Sequence, residues 1–179
     1  MVVLDPLFVP ADAVDEAKAY MRIDHDDEDA VIGGLITTGI VQCEAFCALV
    51  LVARQASQRL NLVGGWQRLG ATPVRAISQV TGFADTGPGF VLAVEHYALD
   101  IDQNGCGWFR LLAAAPVKRV EVSYQVGLAD HWGASPAPIR QGIIRLVAHL
   151  HAHRDGADDI GPPAAVAALW RPWRRARLI

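Results

Sequence analysis

The feature that most constrains this chain is a long apolar segment, residues 30–53, in which Glu44 is the one charged residue. As a helix the segment is long enough to span a bilayer, for which about 20 apolar residues suffice. A carboxylate near its middle opposes insertion, because it costs about 2.5–3.5 kcal/mol at the bilayer centre. No Lys or Arg flanks its apolar part before Arg54. We therefore interpret the segment as a buried helix of a soluble protein and expect no membrane partner.

The predicted helix covers residues 26–51 and is apolar nearly all round, so it must be covered on several sides. Neighbouring subunits can supply that cover. Gly33, Gly34 and Gly39 each weaken the helix by about 1 kcal/mol relative to Ala, which is understandable if another backbone approaches closely there. Tight packing inside the monomer explains them equally well. The three glycines are therefore candidates for a subunit interface.

Five carboxylates precede the apolar run, and the pattern favours a helix start over a metal or catalytic site. A calcium loop that opened at Asp24 would need Gly and Glu where the chain has Asp29 and Leu35. A catalytic carboxylate pair needs surroundings that separate two pKa values, and a solvated helix start offers none. We expect Asp24 or Asp26 to cap the helix and the other acids to stabilise its dipole. The cluster comprises Asp24, Asp26, Asp27, Glu28 and Asp29.

The remaining chain predicts two further helices around a β-rich middle. A first helix covers about residues 13–21, with Asp12 as its cap, and a later one covers about 137–153, with Gly156 as its stop. Residues 58–127 hold short runs rich in Val, Leu and aromatics, separated by turn residues. In that region Asn104-Gly105 predicts a tight antiparallel hairpin that joins the strands around Tyr97 and Trp108.

Composition and motifs argue against an enzyme. The net charge of −3 is unlike that of a general nucleic-acid binder, and three irregularly spaced cysteines indicate a reducing compartment without a disulfide framework. The N-terminus lacks the pattern of a secretory signal. His149 and His153 share a helix face, but two ligands do not make a zinc site. No Walker loop, GxGxxG or GxSxG motif occurs, so we expect no catalytic residues, no metal and no cofactor.

The C-terminus, "LWRPWRRARLI", interleaves tryptophan with arginine, the residue types most enriched in interface hot spots. It favours a protein partner, although a solvated basic helix face remains an alternative. Arginine and aromatics can also hold phosphate and base, so a small nucleic-acid-binding or packaging accessory protein is the alternative function. The candidate contact residues are Trp170, Arg171, Trp173, Arg174 and Arg175.

The order of these features resembles the head–tail connector, or adaptor, family of tailed phages and phage-derived gene transfer agents. The likeness rests on "DEAKAYMRIDHDDEDAVI" leading into the apolar helix, on "VEVSYQVGLAD", and on "PAPIRQGIIRLVAHLHAHRDG". It covers roughly residues 5–156. Residues 132–135 and the chain after residue 160 depart from the family pattern.

The resemblance implies an α+β fold, a small helical bundle around the long helix with an inserted antiparallel β region. It implies an adaptor domain at residues 1–156 and a C-terminal extension at 157–179. It further implies a structural subunit of the particle neck, assembled in the bacterial cytoplasm into a ring, in the family commonly a dodecamer. The ring lies between the portal and the tail stopper or terminator proteins, and DNA passes through it without specific binding.

The resemblance also assigns provisional roles to residues. The C-terminal candidates would contact the portal. Asn104 and Trp108 would lie among neighbouring subunits or toward the tail. The acidic cluster would face the channel or a neighbouring subunit.

Overall fold

The computed structural model describes residues 1–61, 64–112, 117–153 and 161–175. The chain forms two compact units, and each is made of two separate stretches of sequence. The β unit comprises Met1–Pro6 and Ala53–Leu128, and the helical unit comprises Leu7–Val52 and Ala129–Ile179. Helices together with antiparallel sheets confirm the predicted α+β class. Residues 164–175, which lie in the predicted C-terminal extension, belong with the helical unit.

The β unit holds two antiparallel sheets. The described strands are β1 (Val2–Leu4), β2 (Arg54–Asn61), β3 (Gln67–Arg68), β4 (Val74–Phe83), β5 (Phe90–Val91), β6 (Tyr97–Ile101), β7 (Gly107–Leu111) and β8 (Arg119–Val126). The larger sheet has the strand order β1-β2-β8-β4-β5 and the smaller has the order β3-β7-β6.

Strand β8 forms the centre of the larger sheet and of its core. Val120, Val122, Tyr124 and Val126 alternate along it and are all fully buried, as expected for a strand that presents one face to the interior. The buried Tyr124 hydroxyl donates to Oε1 of Gln58 at 3.3 Å, so burial leaves its polar end satisfied. Burial also raises the pKa of Tyr124.

The predicted hairpin is confirmed. Strands β6 and β7 pair antiparallel, with Tyr97 opposite Leu111 and Asp100 opposite Trp108. Gly105 has a φ of 69°, a left-handed conformation that glycine adopts without steric cost. The Asn-Gly pair therefore lies in the connection between the two strands, which spans residues 102–106 rather than a two-residue turn.

The helical unit contains α1 (Ala11–Met21), α2 (Asp29–Cys47), α3 (Ala137–Ala152) and α4 (Ala164–Trp170), with 3-10 turns at Trp132–Ala134 and Arg171–Trp173. The prediction for α3 was accurate to one residue. Its predicted stop, Gly156, lies outside the described residues.

The predicted helix caps were wrong. The cap residue of α1 is Pro10 rather than Asp12, and that of α2 is Glu28 rather than Asp24 or Asp26. Neither cap residue makes a side-chain hydrogen bond to the helix start. Proline before α1 supplies an extended backbone conformation, with φ −77° and ψ 154°, which sets the direction in which the chain enters the helix.

Helix α2 is shorter than predicted and ends at Cys47, because Glu44 redirects the chain that follows. The Glu44 carbonyl accepts from the Leu49 N–H at 3.1 Å, and its carboxylate accepts from the Leu51 N–H at 2.8 Å. Ala48 adopts φ 54°, a left-handed helix end usually made by glycine. Glu44 thus has a local structural role that its isolated charge does not reveal.

The core of the helical unit lies where α1, α3 and α4 pack against α2. Ile32, Ile36, Ile40 and Cys43 of α2 are buried there, with Ile143 of α3. A Cβ added at Gly39 would lie 3.1 Å from a methyl group of Ile143. Packing inside the monomer therefore explains Gly39, without need of a neighbouring subunit.

Helix α2 is the one helix of the described residues that is long and apolar enough to cross a membrane. Core helices of soluble proteins pass the same test, so the finding is weak evidence for a membrane span.

Candidate functional site

The acidic cluster makes ion pairs with Lys18. The Lys18 ammonium group lies 2.6 Å from Oδ1 of Asp26 and 2.7 Å from Oδ1 of Asp29, and the lysine side chain is only 10% exposed. Hydrogen bonds to the two carboxylates raise the pKa of Lys18 above its usual range. The bond from Lys18 lowers the pKa of Asp26. These pairs tie the last part of α1 to the start of α2.

A second contact ties the cluster to α3. The Nε2 atom of His151 lies 3.0 Å from Oε2 of Glu28, and both side chains are partly buried. Asp24 and Asp27 are exposed, and Asp27 lies 3.7 Å from Nδ1 of His25. The cluster therefore joins three helices, a role that the capping interpretation missed.

Histidines and cysteines of the helical unit lie close to one another in pairs. Across the described ranges, no group of three or more His, Cys, Asp or Glu side chains could hold a metal ion. The rings of His149 and His153 stack with centroids 4.5 Å apart, and Nδ1 of His153 lies 2.9 Å from the His149 carbonyl. A hydrogen bond with Cys47 and burial raise the pKa of the Cys43 thiol.

Trp170 belongs to the core of the helical unit, so the folded chain by itself exposes none of its side chain for the predicted portal contact. Its side chain is fully buried. The indole N–H donates to the Ile139 carbonyl at 3.3 Å, and the ring lies 5.8 Å from that of Phe46. A Cβ on Gly142 would overlap the indole. Gly142 thus makes room on α3 for Trp170.

The C-terminal segment, residues 171–175, continues from this anchor along the end of α2. The Arg175 N–H donates to the Cys47 carbonyl at 2.9 Å, one of the carbonyls left without a partner at a helix end. The Arg174 guanidinium lies 5.6 Å from the centroid of the Phe46 ring. Arg171 and Arg174 are exposed, and Trp173 is half-buried.

This arrangement weakens the nucleic-acid alternative. Stacking a base requires an accessible aromatic face beside basic groups, and Trp170 offers none because it is fully buried. Of the two tryptophans in the tail, Trp173 alone has an exposed fraction. Arg177 lies outside the described residues.

One face of α2 is exposed and carries no charge. This open face consists of Ala30, Val31, Gly34, Thr38, Val41 and Ala45. Val31 and Val41 are about half exposed, at 48% and 53%. A Cβ at Gly33 or Gly34 would meet nothing within 4 Å, so packing inside the unit explains neither glycine. A subunit contact there stays a prediction.

An apolar groove of about 340 Å³ lies between the C-terminal halves of α2 and α3. Ala45 and Phe46 line it from α2, and Leu146, His149 and Leu150 line it from α3. Phe46 also contacts the Arg174 guanidinium, so the groove borders the C-terminal segment.

In the β unit, Asp102 organises the tip of the predicted hairpin. Its Oδ1 atom accepts from the backbone N–H groups of Cys106, at 2.9 Å, and Asn104, at 2.8 Å. Its Oδ2 atom accepts from the Trp108 indole at 3.1 Å. Bonds from Cys106 and Trp108 lower the pKa of Asp102. Trp108 is thereby held against its own hairpin, and its subunit contact, like that of Asn104, stays a prediction.

Solved structures with the same fold come from gene transfer agent (GTA) particles. The neck of an empty GTA particle, with C6 symmetry, matches all of this chain and 97% of its own, with a TM-score of 0.81 and 24% identity. A chain in the virion of a native GTA particle matches over the same shares with a TM-score of 0.78 and 24% identity. The neck of a native GTA particle, with C12 symmetry, matches 99% of this chain and 97% of its own, with a TM-score of 0.74 and 25% identity.

No protein-family model matches the chain, and no curated protein matches it significantly. The structural likeness is nevertheless full-length and covers both units. The chain has the fold of a neck protein of gene transfer agent particles, which confirms the resemblance to phage-derived connector proteins that the sequence indicates.

Proposed function

We propose that this protein is a structural neck subunit of a phage-like particle that forms a ring between the portal and the tail, with DNA passing through the ring. The full-length match to neck structures with sixfold and twelvefold symmetry carries the proposal. The role is structural rather than catalytic. Assembly takes place in the bacterial cytoplasm.

The open face of α2 supports a ring of copies. Two half-exposed valines and Gly34 form an uncharged strip on a helix whose opposite face fills the core. Covering apolar surface stabilises an association by about 25 cal/mol per Å². A subunit contact at this strip also accounts for Gly34, since a neighbour can approach the helix backbone closely where no Cβ intervenes.

The portal and the tail stopper are the other proposed partners. Trp173 is the aromatic anchor that we assign to the portal contact, because it is the partly exposed tryptophan of the C-terminal segment. DNA passes without specific binding, in keeping with a net charge of −3, since tight phosphate binding requires an excess of Lys and Arg.

The experiment compares Val41→Glu with Val94→Glu. Val41 lies on the open face of α2. Val94, which is 74% exposed and lies in the β unit, is the matched control. We expect both variants to fold, as judged by circular dichroism. Val41→Glu should abolish rings in negative-stain images, with or without portal rings, and Val94→Glu should retain them. Rings in Val41→Glu at wild-type abundance would remove the open face from the ring contact.

A further inference from the structure

The two ends of α2 carry opposite exposed charges. At its N-terminal end Asp24 and Asp27 are exposed, and the Asp27 side chain is 94% exposed. At its C-terminal end Arg171 and Arg174 are exposed, and the hydrogen bond between Arg175 and Cys47 holds their segment there. With a rise of 1.5 Å per residue, the 19-residue helix separates the two ends by about 28 Å.

The dipole of α2 does not account for the whole arrangement. Its field favours acids at the N-terminus and bases at the C-terminus, but the effect falls off within one turn. Asp24 lies four residues before the cap residue Glu28, beyond that range. The Lys18 ion pairs are made with Asp26 and Asp29. Asp24 and Asp27 therefore add negative charge to the surface beyond what the ion pairs with Lys18 require.

Each charged end also carries an apolar feature. Beside the acidic end, Val31 projects from the open face and is 48% exposed. Beside the basic end lies the apolar groove, whose wall residue Phe46 contacts Arg174. An apolar side chain next to acids and an apolar groove next to bases thus lie at opposite ends of one helix.

We propose that neighbouring copies in the ring join by seating the Val31 end of α2 in the groove of the next copy, with Asp24 and Asp27 against Arg171 and Arg174. The inference rests on the proposed ring and names the partner surface, a second copy of this chain. A ring requires such a contact between two different surfaces, because each copy uses one surface on either side. Helices packed side by side in register would instead bring like charges together, which opposes association.

The test is a charge swap between copies. One variant carries Asp24→Arg and Asp27→Arg, and the other carries Arg171→Glu and Arg174→Glu. Each variant alone places like charges at every contact, so we expect half-assembly to need about tenfold more protein than the wild type. Mixing the two restores opposite charges at every contact of an alternating ring. A single chain with all four substitutions should also assemble.

Asp5→Arg with Asp85→Arg is the matched control for the Asp24 and Asp27 variant, since it changes the net charge equally at exposed sites of the β unit outside the 97–111 hairpin. It should assemble like the wild type. Raising the salt from about 0.1 to 1 M, which shortens the screening length from about 10 to 3 Å, should weaken wild-type rings and relieve the defect of each single variant.

The outcomes separate this inference from the function itself. Wild-type protein that forms no ring, alone or on portal rings, contradicts the proposed function. If the wild type forms rings and both charge variants assemble equally well, this pairing is contradicted and the proposed function stands. The same holds if the variants are defective but neither the mixture nor the fourfold variant repairs the defect. Defects in each variant that the mixture repairs support it.

Discussion

Replacing Trp170 with alanine should destabilise the helical unit itself, before any assembly. The side chain is fully buried, donates to the Ile139 carbonyl and fills the space that Gly142 leaves open. A tryptophan buries roughly 150–250 Å², and at about 25 cal/mol per Å² its removal forfeits about 4–6 kcal/mol. Measured Trp→Ala substitutions in cores cost about 3–5 kcal/mol. Since whole domains are stable by about 5–15 kcal/mol, the loss is large.

Urea denaturation followed by far-UV circular dichroism measures this loss on dilute, unassembled protein. Trp173→Ala is the matched control, because Trp173 lies three residues away and is half-buried. It should cost less than about 2 kcal/mol, in line with partial burial. Equal free energies of unfolding for Trp170→Ala and the wild type would refute the assignment of Trp170 to the core.

Three further predictions concern α2, the Lys18 pairs and the hairpin. Gly34→Ala should stabilise the monomer by about 1 kcal/mol in thermal unfolding, because a Cβ there meets nothing within 4 Å. It should weaken rings, because the proposed ring contact brings a neighbour to that backbone; a less stable monomer would contradict the geometry. Lys18→Met should lower the unfolding temperature at pH 7. The pKa of Asp26 is lowered in the folded protein, so its pairing with Lys18 stabilises the fold above the unfolded-state pKa of about 3.9. This contribution is lost as the pH falls through the folded-state pKa, and the variant should therefore lose less stability on acidification than the wild type. Equal acid sensitivity of the two proteins would contradict the pairing. Asp102→Ala should speed hydrogen exchange at the Asn104 and Cys106 amides, whereas unchanged protection would show that Asp102 does not organise the turn.

The elements with a local code could be predicted from the sequence. The hairpin followed from Asn104-Gly105, since the turn needs the left-handed backbone that Gly105 adopts. Helix α3 followed from the spacing of its apolar residues, of which Ile139, Ile143 and Val147 are buried. The open face of α2 was foreseen in outline, because a helix apolar nearly all round leaves some of that surface uncovered.

What was missed depends on contacts distant in sequence. Lysine is ordinarily a surface residue, and Lys18 is buried because Asp26 and Asp29 surround its ammonium group. Trp170 lies among arginines, as a surface residue would. Its indole nevertheless packs against Gly142, 28 positions earlier, where a side chain would overlap it. A glycine in the middle of an amphipathic helix is the one signal that pointed to such a contact.

The end of α2 was missed for a similar reason. Neither Gly nor Pro follows Cys47 within the next turn, so the pattern gave no stop signal. The helix ends because Glu44 accepts hydrogen bonds from Leu49 and Leu51. The charged side chain that looked anomalous in an apolar segment accepts a hydrogen bond from the chain that follows the helix end.

Negative-stain imaging of the purified wild-type chain at high concentration, alone and with portal rings, tests the central claim most directly. The account predicts closed rings with an open channel and a symmetry of six or twelve, in at least one of the two samples. Separate small particles in both samples, from protein shown to be folded by circular dichroism, would contradict it.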